Sequence, residues 1–206
     1  MLLDLAIKSF MTLLVVMDPV ALVPMYLALG AADNPSENRR VATRAVMVAG
    51  FILVVFAVAG VSVLEHLGIS LHAFRIAGGI LLFKIAIDMV FAQRERETEE
   101  EQNEAQERND ISVFPLGIPL LAGPGAMASV MILAGEGRGA HEMGLFVVLG
   151  CVLAVLILSW FALYLAGALS RVLGQTGINV ITRILGVLLA ALAVQYVADG
   201  TLGFIS

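Results

Sequence analysis

Six stretches of the chain are apolar for long enough to cross a bilayer: Leu5–Leu29, Ala42–Leu64, Ala73–Phe91, Ile111–Ala134, Gly144–Ala166 and Ile181–Thr201. About 20 residues of helix span the hydrocarbon layer. None of the six alternates with period 2, so a β-barrel is not expected. The pattern predicts an all-α membrane protein of six transmembrane helices. Two of the six are interrupted. The first carries Asp18-Pro19 and then Pro24; the fourth carries Gly123-Pro124-Gly125, preceded by Pro115 and Pro119. Proline removes a backbone donor and pushes the residue before it out of the helical region. Helices 1 and 4 are therefore expected to be broken near the midplane.

A polar stretch rich in acids, 94–110, separates the first three runs from the last three. It reads as a cytoplasmic linker between repeat one (1–93) and repeat two (111–206) of a single transmembrane domain. The halves echo one another. Arg75-Ile76-Ala77-Gly78 opens the third run and Arg183-Ile184-Leu185-Gly186 the sixth, 108 residues later, while Pro19 and Pro124 are 105 residues apart. Three spans per half is an odd number, so the second copy must insert upside down. Inverted repeats with broken helices in matching places point to the binding site of a secondary transporter.

Composition adds the environment. The 206 residues are 60% hydrophobic, with a mean hydropathy of +0.96. The net charge of −5 comes from the linker acids, so it implies no charged partner, and no nucleic-acid partner is expected. The single Cys151 rules out a disulfide framework within the chain. The N-terminus lacks a basic n-region and cleavage site, so the first span is expected to stay. Loops after the first, third and fifth spans carry eight arginines, Arg39, Arg40, Arg44, Arg94, Arg96, Arg108, Arg171 and Arg183, against Lys8, Arg75 and Arg138 on the other face. The positive-inside rule then places both termini outside the cytoplasm of a multi-pass inner-membrane protein.

The candidate chemistry sits at the breaks. A half-helix N-terminus offers unpaired N–H groups and partial positive charge, which suit a carboxylate. Carbonyls freed before each break suit an ammonium group. A small zwitterion fits both, so the expected substrate is a neutral amino acid held by Asp18, Pro19, Val20 and Pro24 with Ala122, Gly123, Pro124, Gly125 and Ala126. Asp18 reads as an N-cap, and as a carboxylate for a proton or the substrate ammonium. Lys84 and Asp88, one helical turn apart in the third span, read as an ion pair or as part of the site. Gln195 and Tyr196 read as packing or interhelical hydrogen-bonding residues. Gly78, Gly79 and Gly186 read as points of close backbone approach. His66, His72 and His141 lack ligand spacing, so no metal or other cofactor is expected. No phosphate loop or nucleophile–base set is present, which argues against direct ATP drive and against an enzyme.

Asp18-Pro19-Val20-Ala21-Leu22-Val23-Pro24, Arg75-Ile76-Ala77-Gly78-Gly79, Ala122-Gly123-Pro124-Gly125-Ala126 and Arg183-Ile184-Leu185-Gly186, with Gln195 and Gly200, resemble the MarC family across almost the whole chain. The resemblance implies a six-helix membrane protein distantly similar to amino-acid exporters of the LysE type, and transport of small neutral amino acids of the alanine, glycine and serine class. It also points to Asp18, Pro19, Pro24, Gly123, Pro124 and Gly125. Many members have Asn at the position of Asp18. The alternatives are export of other small solutes or drugs, which predicts an aromatic-lined cavity, and a non-transporting scaffold, which predicts breaks packed shut. Coupling to protons, direction of transport and a homo-oligomeric state stay open.

Overall fold

The computed structural model of the chain describes residues 1–28, 35–91 and 112–205. The linker 94–110 lies outside the described residues. Among the described residues seven α-helices follow in order: α1 (Leu2–Met17), α2 (Leu22–Ala28), α3 (Pro35–His66), α4 (Leu71–Phe91), α5 (Pro124–Ala140), α6 (Gly144–Tyr164) and α7 (Ala166–Ile205), with a wide coil of π-helical turns, broken at Phe114 and Ile118, over Ser112–Leu121 before α5. No strand occurs among the described residues.

Four stretches are long and apolar enough to cross a membrane: Leu2–Ala28, Asn38–His66, Gly144–Tyr164 and Ala166–Ile205. The coil and α5, bent by 55° between Leu121 and Pro124, form a fifth if taken together. The expected third span is α4. It has the length, and it carries three charges, Arg75, Lys84 and Asp88.

Both expected breaks are present, and each differs from expectation in detail. Asp18 ends α1 in the left-handed region (φ 36°, ψ 71°), a conformation that Asp and Asn tolerate better than most residues. The chain then turns through Pro19 and enters α2 by short-range bonds, Ala21 N–H to the Asp18 carbonyl at 3.1 Å and Val23 N–H to the Val20 carbonyl at 3.2 Å. Pro24 does not interrupt the helix. It occupies the first turn of α2, where its missing N–H would have had no helical partner. The second break is longer than Gly123-Pro124. Phe114 and Ile118, each preceding a proline, are extended, as the steric demand of the proline ring requires. Gly123 then caps α5 with Pro124 at its first position. The breaks divide their spans differently: sixteen residues precede and seven follow the first, whereas ten precede and seventeen follow the second. A third interruption, a kink at Gly174 (φ 62°), lies within α7 ahead of the stretch expected as the sixth span.

The helices with matching Arg-Ile-x-Gly motifs pack against each other, antiparallel and unusually close. A Cβ on Gly79 would come within 2.7 Å of the Ala193 carbonyl oxygen, one on Gly186 within 3.1 Å of the Val90 nitrogen, and one on Gly200 within 2.8 Å of the His72 carbonyl oxygen. Glycine on both helices permits this approach. The remaining core uses small residues on one stripe of α3, Ala42, Ala45, Ala49 and Ala57, all fully buried. Outward faces carry exposed Phe51, Val55, Phe83, Ile87, Phe146, Ile157 and Val187, the surface that a lipid environment matches.

Candidate functional site

A cavity of about 370 Å³ opens beside the first break, lined by Ala21, Ile85, Asp88, Met89, Gln175, Asn179 and Thr182. Three elements build it. The turn into α2 supplies Ala21. The end of α4 supplies Ile85, Asp88 and Met89, one face of a helix at spacings of three and four residues. The stretch of α7 after the Gly174 kink supplies Gln175, Asn179 and Thr182, again a single face. Without that kink, α7 would run straight on from the helical turns at Ala166–Leu173. The volume is at the small end of the range for ligand pockets.

The lining is mixed. Asp88 is a carboxylate, half-buried, one turn after Lys84 on α4. Gln175 and Asn179 are linked by an Nε2–H to Oδ1 hydrogen bond of 3.4 Å, which leaves their remaining amide groups available. The Thr182 hydroxyl is buried and has no hydrogen-bond partner among the described residues. A carboxylate that accepts, amides that do both and a hydroxyl that does both form a set complementary to a small molecule with an ammonium and a carboxylate.

The sequence-predicted residues divide around this cavity. Asp18 is buried, and its Oδ1 accepts the Ala21 N–H at 3.2 Å. Asp18 was expected as an N-cap; it instead ends α1 as its C-cap, and its carboxylate holds the turn that leads to α2 at Leu22. Pro19 is buried; Val20 and Pro24 are half-buried. Ala21, from the same motif, reaches the cavity wall. Ala122, Gly125 and Ala126 are buried, Gly123 is half-buried and Pro124 is exposed. None of these five is among the cavity-lining residues. Gly125 nevertheless joins the two breaks: a Cβ on it would meet Ile85 and Leu82 of α4 at 2.7 and 3.1 Å and Val16 of α1 at 3.4 Å. The turn at α5 is thus seated on α4 and on α1 two residues ahead of Asp18, with Ile85 as the shared wall. Lys84 is exposed, while Asp88 faces the cavity. Gln195 donates to Asp199 on its own helix at 2.6 Å, rather than across helices. Tyr196 is fully buried.

Gln175, Asn179 and Thr182 are not among the sequence-predicted site residues. The available signal was their spacing of four and three, which puts all three on one helical face. No group of three or more metal-ligating side chains occurs among the described residues.

Comparison with known proteins places the chain. The description "MarC family integral membrane protein" matches residues 3–205. A UPF0056 membrane protein of Aquifex aeolicus is 39% identical over 205 residues, covering 94% of this chain and 91% of that protein. The UPF0056 membrane protein YvbG of Bacillus subtilis is 35% identical, covering 96% and 94%. YhcE of Escherichia coli is 34% identical, covering 95% and 91%. No solved structure matches.

Proposed function

The chain belongs to the MarC family of integral membrane proteins, and we propose that it is a secondary transporter of small neutral amino acids across the cytoplasmic membrane. One observation carries the reading: a small cavity beside a broken span, bearing one carboxylate, two amides and a buried hydroxyl. Asp88 receives the substrate ammonium. Thr182, Asn179 and Gln175 donate to the carboxylate. Ala21, Ile85 and Met89 leave room for a short side chain and exclude a long or charged one. The six spans act as two inverted three-helix repeats, with α4 as the third span, its Asp88 turned toward the cavity and its Arg75 toward Glu136 of α5. The α4–α7 pair, glycine against glycine, is the hinge-free seam around which the breaks rearrange.

The cavity lining contains no aromatic side chain, which weighs against the drug-export reading. The presence of a cavity at all weighs against a scaffold with its breaks packed shut.

Counterflow of labelled alanine in proteoliposomes tests the assignment of residues. A charge-assisted hydrogen bond contributes about 1.5–3 kcal/mol. Asp88→Asn should therefore lower the rate at subsaturating alanine by roughly tenfold to hundredfold, and Thr182→Val by less. Parent-like counterflow in both variants would remove this cavity as the substrate site.

A further inference from the structure

A second polar cluster lies at the other end of the same helices. Arg75 and Asp88 are separated on α4, and Thr182 and Tyr196 on α7, by about 20 Å at 1.5 Å rise per residue. At that far end Glu136 of α5 accepts from Lys8 Nζ of α1 at 2.7 Å through Oε2, and from an Arg75 terminal nitrogen of α4 at 2.9 Å through Oε1. One carboxylate thus ties three helices together. The Arg75 and Glu136 side chains are only 13% and 19% exposed.

Donors exceed acceptors here. Two cations face one carboxylate. The Arg75 Nε is buried with no hydrogen-bond partner among the described residues, and so is the hydroxyl of the fully buried Tyr196. Lys8 Nζ sits 5.9 Å from the centre of the Tyr196 ring. The Thr12 hydroxyl of α1 is likewise buried and without a hydrogen-bond partner among the described residues. Buried polar groups left unsatisfied are uncommon, and each costs free energy. Their clustering indicates a partner that this state does not supply.

The cluster is also connected inward. Thr12 lies one turn from Lys8 on α1, and Ser129 two turns from Glu136 on α5. Both are buried, and neither hydroxyl has a hydrogen-bond partner among the described residues. One further turn along each helix come Val16 and Gly125, which meet at the breaks. A seam of buried hydroxyls therefore leads from the ion cluster to the place where the two broken spans touch.

We propose that Lys8 and Arg75 form a carboxylate-binding station at the mouth of the transport path opposite the cavity, occupied in this state by Glu136, which closes that mouth. The inference rests on the transporter reading and extends it to a second site. A guanidinium, an ammonium and a phenol hydroxyl are the groups that recognise a carboxylate. In the alternate state α5 withdraws Glu136, and the substrate carboxylate takes its place between the same cations. Alternating access needs such a pair of mutually exclusive closures, one at each end.

Accessibility of the seam tests this without any transport assay. Cys151 is the only cysteine, so Cys151→Ala with Ser129→Cys gives a single reporter on the full-length detergent-solubilised protein. The probe is the anionic reagent sulfonatoethyl methanethiosulfonate. Labelling should be slow in this background and in Glu136→Asp, which keeps a carboxylate. Glu136→Gln should speed it by roughly tenfold, about 1.4 kcal/mol of shift toward the open mouth. Acetate should slow the faster labelling, whereas methylammonium chloride at equal concentration should not. Equal rates with and without Glu136→Gln, or fast labelling that acetate leaves unaltered, overturn the proposal. A Thr12→Cys reporter repeats the test should Ser129→Cys melt early. If alanine uptake fails while this labelling pattern holds, the substrate reading falls and the carboxylate station stands.

Discussion

A Cβ placed on Gly79 of α4 would lie 2.7 Å from the carbonyl oxygen of Ala193 on α7. That backbone cannot retreat without opening the whole α4–α7 seam, because Gly186 and Gly200 fix the same pair of helices above and below. Gly79→Val should therefore destabilise the protein by about 1–3 kcal/mol, the cost of overpacking a tight interface. Gly150 on α6 has nothing within 4 Å of its Cβ position, so Gly150→Ala should stay within about 0.5 kcal/mol of the parent. Thermal melts of the two variants in one detergent compare them directly. Equal melting points would mean that the seam is looser than these contacts indicate.

Asp18 combines a left-handed backbone with a capping carboxylate. Asn tolerates the same backbone and keeps the accepting oxygen, so Asp18→Asn should retain the fold with a loss below about 1 kcal/mol. Val has neither property. Asp18→Val should cost about 2 kcal/mol or more, through backbone strain together with the lost cap. Chemical denaturation in mixed micelles would separate the two, and a Val variant as stable as the Asn variant would refute the role assigned to the turn.

Gly123 faces a different constraint. Its Cβ position lies 2.5 Å from the Pro119 carbonyl oxygen, in the segment before α5. Gly123→Ala must push the coil away from the α5 start. The expected result is a folded protein, destabilised by about 1–3 kcal/mol, with faster proteolysis in the 112–123 region than the parent. Limited proteolysis with mass-spectrometric mapping reads this out, and an unchanged cleavage pattern would show that the coil yields freely.

The sequence made the breaks and the seam legible because proline and glycine act locally. Asp18-Pro19 forces an interruption wherever it stands in a helix, and a glycine pair on an apolar helix announces close approach. Pro24 misled, because a proline three residues into a new helix meets no missing bond, and only the true start of α2 at Leu22 reveals that. The cavity was less legible. Gln175 and Asn179 look like surface-loop residues until the kink at Gly174 turns them onto the face of α7 that meets α4. Glu136 was overlooked for a related reason: within Gly135-Glu136-Gly137-Arg138 it reads as a loop charge at the end of an apolar run. Its significance comes from Lys8 and Arg75, which lie 128 and 61 residues away in the chain and meet it only through packing. All three charges lie within about two turns of the ends of α1, α4 and α5, but Glu136 falls beyond the apolar run that ends at Ala134.

The central claim is that this chain moves small neutral amino acids through a site built on its broken first span. The most direct test is uptake of labelled alanine into proteoliposomes containing the purified full-length protein, with glycine and serine as competitors and with an imposed pH gradient. The account predicts protein-dependent uptake that glycine and serine suppress, that leucine and glutamate suppress far less, and that Asp88→Asn lowers by roughly tenfold or more. No alanine uptake above empty liposomes in either gradient direction, from protein with a cooperative melt, would contradict it.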